Sequence, residues 1–383
     1  MSRIQLRIKE LGVLLCYFVA CLFAMPVKRK QMWLISERGH EARDNGYWFF
    51  LYLKQFHPEI KSKYIIDRKS VDRDRLIMYA DDLIDYGSFK HFYYLRLSSH
   101  LISTHIMGYT PFMDFFVTLD KKYNLFRDKK KIFLQHGITK NRLLSLVKGA
   151  INVDLFCCGA KPEYDYILNN FGHSDQIVKY TGFCRYDNLN DFKVKKQILV
   201  MPTWRMYLRG KKFTETDFFH NWVDFLQSKR LHDILINYGY ELVFYPHYEM
   251  QQYVPLFKQL NISSYIYIAG FDYDVQTLLK ESALLITDYS SVYFDMLYMH
   301  KPIIFYQFDF KEFYSKHYPQ CFITEAEFGD IAETKDSVID YIEDNIKNDC
   351  KISIDKLPNI LNLYEIRDSN NCQRVYNAIT ELQ

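Results

Sequence analysis

Residues 283–306 read ALLITDYSSVYFDMLYMHKPIIFY. Their order of apolar and polar residues predicts a strand, a polar turn, a short helix and a second buried strand. The run Ala283–Thr287 is short and apolar, and Asp288, Ser290 and Ser291 then fall together where a helix N-cap and the first helical amides are due. A turn of this kind brings backbone N–H groups, two hydroxyls and the positive end of a helix dipole to one point, which suits a phosphate or pyrophosphate. The same residues would serve equally well as plain helix caps. Asp295, further along the predicted helix, is expected to be structural.

Three other segments repeat the plan of a strand followed by a polar turn: KIFLQHGITKNR at 131–142, QILVMPTWR at 197–205 and ELVFYPHY at 241–248. Each delivers its polar residues at the strand's carboxyl end, where open parallel sheets bind ligands, so together they predict one cleft. Taken singly, a histidine in such a place serves as readily as a hydrogen-bonded structural residue. Outward from these motifs, strand-like runs at Met32–Ser36, Lys63–Ile66, Leu101–Thr104, Lys131–Gln135 and Leu155–Cys158 alternate with amphipathic stretches at Trp48–Phe56 and Phe89–Ser98. A second series follows at Gln197–Met201, Glu241–Tyr245, Tyr265–Ile268, Ala283–Thr287 and Pro302–Tyr306. Such alternation predicts α/β structure with parallel sheets and crossover helices. Two Rossmann-like lobes are expected, residues 31–188 and 189–360, with a closing helix in 361–383. The boundary falls near Gly182–Lys196, where periodicity is lost and turn residues gather. No GxGxxG follows the first strand and no GxxxxGK(S/T) occurs, so a nicotinamide dehydrogenase or a P-loop ATPase finds no support. The first strand runs instead into ERGHEARDNG at 37–46.

The set QHG, PTWR, YPHY, TDYSSVYFD and KPIIFYQFDFKEF, in this order, resembles the CDP-glycerol glycerophosphotransferase family that builds teichoic acids and related capsular polymers. The resemblance runs from Met32 to Leu382 and includes IRDSNNCQRVYNAI at 366–379, similar to the family's closing helix. It implies a GT-B fold, two lobes facing a cleft, and no cofactor. It also implies transfer of a polyol phosphate, glycerol phosphate first and ribitol phosphate next, from a CDP-alcohol to a hydroxyl of a lipid-linked glycan or growing polymer, releasing CMP. Carried over by residue, the resemblance makes His136 the general base, with Gly137 giving the substrate room. His247 then donates to the donor pyrophosphate or orients the phosphorus, and the roles of the two histidines are interchangeable at this stage. Arg205, Thr287, Asp288, Ser290 and Ser291 would hold the donor; Asp44 and Asn45 would face the acceptor. Two departures stand out. Residues 248–253 read YEMQQY where relatives often carry a basic residue, and HGITKN replaces a proline and a lysine pair. No metal is expected, since no carboxylate cluster accompanies Asp288. A nucleotide-sugar glycosyltransferase and a noncatalytic membrane partner in polymer assembly are the competing readings.

Almost half of the 383 residues are apolar and a quarter are charged, so a packed chain with two cores is expected rather than disorder. A net charge of +3, without zinc-knuckle or RNA-binding aromatic motifs, gives no support for nucleic-acid binding. Local charge is more informative. Arg3, Arg7, Lys9, Lys28, Arg29 and Lys30 flank the apolar run Leu11–Met25, and a second basic group runs from Lys121 to Lys148, a pattern suited to an anionic membrane surface. The apolar run, about 15 residues, is shorter than the roughly 20 needed to span a bilayer. Residues 1–30 are therefore expected to form an uncleaved helix lying in the cytoplasmic leaflet, making the protein peripheral on that face; a packed first helix of the first lobe is the other reading. The eight cysteines, at 16, 21, 157, 158, 184, 321, 350 and 372, include no CxxC pair, which fits free thiols in a reducing compartment.

Overall fold

The computed structural model describes residues 3–28, 31–316 and 323–382; Arg29, Lys30 and Cys321 lie outside them. The chain divides into two compact α/β units. Residues 1–138, 143–188 and 368–383 form one, and residues 139–142 and 189–367 the other.

The first unit is built on seven parallel strands: β1 (Met32–Ser36), β2 (Lys61–Ile66), β3 (Leu83–Asp85), β4 (His100–Ser103), β5 (Lys130–Phe133), β6 (Leu155–Cys158) and β7 (Val178–Tyr180), in the order β3-β2-β1-β4-β5-β6-β7. The second has six: β8 (Gln197–Met201), β9 (Glu241–Phe244), β10 (Ile266–Ile268), β11 (Leu284–Thr287), β12 (Ile303–Tyr306) and β13 (Asp330–Ala332), in the order β10-β9-β8-β11-β12-β13. Every residue of β1, β8, β11 and β12 is buried, because helices cover both faces of a parallel sheet, and their sequences accordingly show no alternation. In each sheet the strand order reverses beside the first strand, at β1/β4 and at β8/β11. Those two switch points are where such sheets open a ligand crevice at their carboxyl ends. The edge strands β3, β7 and β13 were not expected from the sequence: each has three residues and carries a charged one, Asp85, Lys179 or Asp330, whereas the equally short β10 is wholly uncharged and was expected.

In the first unit, α1 (Arg3–Ala24), α2 (Asn45–Phe56), α3 (Phe89–Leu97) and α4 (Met113–Tyr123) precede β5. Helix α1 has two apolar sides. Tyr17, Ala20 and Ala24 are buried, and the Tyr17 ring meets Phe92, Phe116 and Phe126 edge-on at 6.0–6.3 Å. Outward, Ile8, Leu11, Leu15, Phe18, Leu22 and Met25 are 50–69% exposed. No described helix is long and apolar enough to cross a membrane.

The expected closing segment 361–383 is divided between the units. Helix Asn371–Thr380 returns to the first, where Val375 and Ile379 join Trp33, Phe49 and Cys157 in the core. Its amino end is held by Asp187, whose carboxylate accepts from the N–H of Asn371 and of Cys372, each at 2.8 Å. Gly182, at φ +72°, lies against this end so closely that a Cβ would stand 1.7 Å from Asn371 Oδ1, so only glycine fits there.

His91 gives the first unit a pH-dependent stability. It is fully buried, its Nδ1 accepting from Gly87 N–H at 3.0 Å and its Nε2–H donating to the Tyr109 carbonyl at 2.9 Å, so both nitrogens are matched only in the neutral ring. Burial lowers its pKa from 6.5 to about 4. Between those values the unfolded chain binds a proton that the folded chain refuses, so the stabilisation is complete above 6.5 and is lost as pH falls towards 4. Burial lowers His100 to about 4 as well, adding to the same slope. Urea midpoints measured from pH 7.5 downward should begin to fall near pH 6.5, before carboxylates titrate; a flat profile through this range would contradict the assignment.

Candidate active site

Beyond β5 the chain turns at Gln135, whose φ of +58° is uncommon outside glycine. Its buried amide holds the turn, Nε2–H donating to the Cys157 carbonyl at 2.8 Å and to Glu163 Oε1 at 3.1 Å. His136 follows and reaches solvent. Its Nδ1 lies 3.4 Å from the Thr104 carbonyl. Since a carbonyl can only accept, Nδ1 carries the proton and the neutral ring keeps its lone pair on Nε2, the tautomer a general base requires. Desolvation lowers the His136 pKa, with Arg38 and Arg185 acting in the same sense and the Asp44 carboxylate opposing.

His105, at the carboxyl end of β4, stacks on His136 with ring centres 4.2 Å apart and planes within 9°. Burial, then the neighbouring His136, lower its pKa to about 2, so this ring stays neutral beside its partner. His105, not among the expected site residues, follows its strand as His136 follows β5, which is the signal that marks it.

Asp44 and Asn45 stand at the start of α2. Asp44 is half-buried and accepts from Arg185 Nη1 at 2.9 Å; the same nitrogen donates to the His136 carbonyl at 3.2 Å. Asn45 is fully buried. Its Nδ2–H donates to the Gln135 carbonyl at 2.7 Å and its Oδ1 accepts from Arg185 N–H at 3.1 Å. It ties α2 to the turn that carries His136, rather than presenting an amide to an acceptor as expected. Buried Glu37 closes the base of the ERGHEARDNG turn by accepting from the N–H groups of Arg43, Asp44 and Tyr47 at 2.7–3.0 Å. Gly137 is half-buried beside His136.

In the second unit the motifs after β8 and β11 meet at the switch point. Asp288 is fully buried, accepting from Thr203 N–H at 2.9 Å and from Tyr289 N–H at 2.6 Å, with Arg205 Nη1 at 2.9 Å. Arg205 is equally buried, and its Nε and Nη2 grip Asp309 at 2.7 and 2.9 Å. The planar fork expected to bind a phosphate is therefore occupied by two carboxylates. Thr287 is buried and donates to the Met201 carbonyl at 2.7 Å. Ser290 and Ser291 are half-buried, and they precede the helix Tyr293–Tyr298 instead of opening it; Val292 is the residue at its cap. Asp309 lies in the motif QFDF, and its pairing with Arg205, 104 residues away, is not visible in the sequence. A cavity of about 700 Å³ opens beside Asp309 and Tyr207, at the carboxyl ends of β12 and β8. His247, after β9, is exposed, and its Nδ1 accepts from Glu249 N–H at 3.3 Å, so the neutral ring has its proton on Nε2. Among the described residues no group of three His, Cys, Asp or Glu side chains is placed to hold a metal ion.

Residues 17–381 match the family model of CDP-glycerol:poly(glycerophosphate) glycerophosphotransferase. The chain belongs to this family. Within the glycerophosphotransferase family, the minor teichoic acid biosynthesis protein GgaB of Bacillus subtilis (strain 168) is 32% identical over 370 residues, covering 92% of this chain and 40% of GgaB. The teichoic acid poly(glycerol phosphate) polymerase of the same strain is 23% identical over 383 residues, covering 93% and 49%. The chain thus spans less than half the length of these curated relatives. A solved structure of a histidine variant of the wall teichoic acid polymerase TagF superposes with a TM-score of 0.68 at 16% identity, covering all of both chains. A UDP-N-acetylglucosamine 2-epimerase from Listeria monocytogenes follows at 0.56 and 15%, covering 92% of this chain and 96% of the epimerase. These likenesses show a shared fold of two Rossmann-like lobes.

Proposed function

We propose that this chain transfers a polyol phosphate, glycerol phosphate first and ribitol phosphate next, from a CDP-alcohol to a hydroxyl of a lipid-linked glycan or growing polymer in teichoic acid or capsular polysaccharide synthesis. The acceptor oxygen attacks the β-phosphorus, the bond to the bridging oxygen breaks, and CMP leaves with the electron pair. His136 Nε2 takes the acceptor's proton. His247 Nε2–H donates to a phosphate oxygen, and the Ser290 and Ser291 hydroxyls bind the pyrophosphate. Arg205, Asp288, Thr287 and Asn45 position these groups from beneath. The observation that carries the reading is the bond from His136 Nδ1 to the Thr104 carbonyl, which leaves Nε2 basic in a chain of this family. The test is a panel of CDP-glycerol, CDP-ribitol and nucleotide sugars with the product weighed by mass spectrometry. CMP release with a gain of one or more polyol phosphates is expected; turnover of nucleotide sugars alone, or of nothing, would reject it.

Attachment to the cytoplasmic face of the membrane belongs to the same reading, since the cytidine donor is a cytoplasmic metabolite and the outer side of α1 is apolar between basic ends. Deleting α1 would strip Tyr17 and Ala20 from the core, so the test alters only its outer side. Combined Leu15→Gln, Phe18→Gln and Leu22→Gln should lower flotation with anionic vesicles at least about tenfold, as expected when three buried apolar side chains are lost, while leaving the fold intact. Raised salt should weaken the parent's attachment as well. Unchanged flotation of the triple variant would refute the helix as anchor.

A further inference from the structure

The first unit holds a cavity of about 480 Å³ that none of the expected site residues lines. Its size is that of a small-ligand site. Ile106, Val117, Ile132, Phe133, Ile151 and Ile177 give it apolar walls. Its buried cation is Lys131, on β5, whose side chain is 4% exposed; Asn124, Asn152 and His173 add further polar groups to the lining. Among the described residues the ammonium has one ionic or hydrogen-bonding partner, Asp120 Oδ2, at a long 3.5 Å. Asp120 is itself divided, since its Oδ1 accepts from Phe126 N–H at 3.0 Å. A buried ammonium with unused protons beside apolar walls is costly, and a ligand oxygen would relieve that cost.

Charge selects the kind of oxygen. Lys121 and Lys148 also line the cavity and are exposed, so three lysines stand against one aspartate. An anionic head with an apolar body matches both features. The surroundings agree: α4 gives Val117 and Asp120 to the cavity while its Phe116 packs on Tyr17 of α1, whose outer side is the exposed apolar stripe. His105 also lines the cavity, and its ring stacks on His136.

We propose that this cavity binds an alkyl or prenyl phosphate, the phosphate on Lys131 with Lys121 and Lys148 and the first carbons of the chain along Ile106, Phe133 and Ile177. As the seat of the acceptor's lipid phosphate it rests on the transferase reading; as a binding site it is tested without turnover. The full chain would be titrated calorimetrically with decyl phosphate below its micelle concentration, beside inorganic phosphate and decanol. Saturable binding of decyl phosphate is expected, at least about tenfold tighter than either comparator, because each carries only half of the recognised chemistry. Ile151→Trp, which fills the cavity, and Lys148→Glu, at an exposed position, should each weaken it at least about tenfold without moving the unfolding midpoint. No saturable binding, inorganic phosphate bound as well as decyl phosphate, or binding indifferent to both variants would overturn the site. A chain inert towards every CDP-alcohol that still binds decyl phosphate here would instead remove the transferase reading and leave the site standing.

Discussion

His136→Ala should lower turnover of the CDP-alcohol by at least about a hundredfold while circular dichroism and the urea midpoint stay unchanged, the loss expected when a positioned general base is removed. The side chain reaches solvent on one side, and its described contacts are the long hydrogen bond to Thr104 and the stacking on His105, so little of the fold depends on it. Its pKa supplies a second readout. The ring must be neutral to accept a proton, and desolvation, with Arg38 and Arg185, holds its pKa below 6.5. The acid limb of the kcat/KM profile should therefore have its midpoint below pH 6.5. Asp44→Asn removes the carboxylate that opposes the shift, and should move the acid limb to still lower pH. Near-normal turnover in His136→Ala would take the residue out of the mechanism, and an acid limb above 6.5 would assign the base elsewhere.

The architecture was legible because buried parallel strands announce themselves as unbroken apolar runs. Gln197–Met201 and Leu155–Cys158 could be read to the residue, and the polar turns behind the longer strands fell at the carboxyl edges of the sheets. Strands of three residues carry that signal only when uncharged, as Ile266–Ile268 is; Leu83–Asp85, Val178–Tyr180 and Asp330–Ala332 each include a charged residue and were missed for that reason. Within the site, sequence position indicated which strand end a residue occupies, but not whether its side chain turns outward or down. Asn45, Thr287, Asp288 and Arg205 all lie at the right edges and are all fully buried, each spending its polar atoms on the turn next door. That outcome depends on partners remote in the chain, Asp309 for Arg205 being 104 residues away. Tautomers are equally hidden from sequence: that of His136 is set by the Thr104 carbonyl, 32 residues away, and that of His247 by the nearby Glu249 N–H only in the turn the chain adopts there.

Arg205→Ala should cost about 3–5 kcal/mol of stability, the penalty for leaving a buried ion pair without one partner, against the 5–15 kcal/mol that folded domains typically possess. Two carboxylates lose their counterion at once: Asp288, whose side chain is 0% exposed, and Asp309, at 10%. The guanidinium is also enclosed by the Phe218, Tyr289 and Phe313 rings at 4.8–5.0 Å, so its removal opens a cavity between aromatic faces. Lysine cannot replace it, since one ammonium cannot hold Asp309 through two parallel bonds while reaching Asp288. Burial would raise the Asp309 pKa, but Arg205, Tyr207 and Tyr289 all donate to its carboxylate and hold it below the ordinary value. Adding Asp309→Asn to Arg205→Ala should therefore recover part of the loss, because a neutral amide is cheaper to bury than an unpaired charge. The measurement also separates two roles for this arginine. A phosphate contact would leave the Arg205→Ala variant folded, with a weakened KM for the CDP-alcohol and an unchanged urea midpoint. A strut beneath the switch point of β8 and β11 makes the midpoint fall first, and the second substitution raises it again without restoring any charge that a donor phosphate could use.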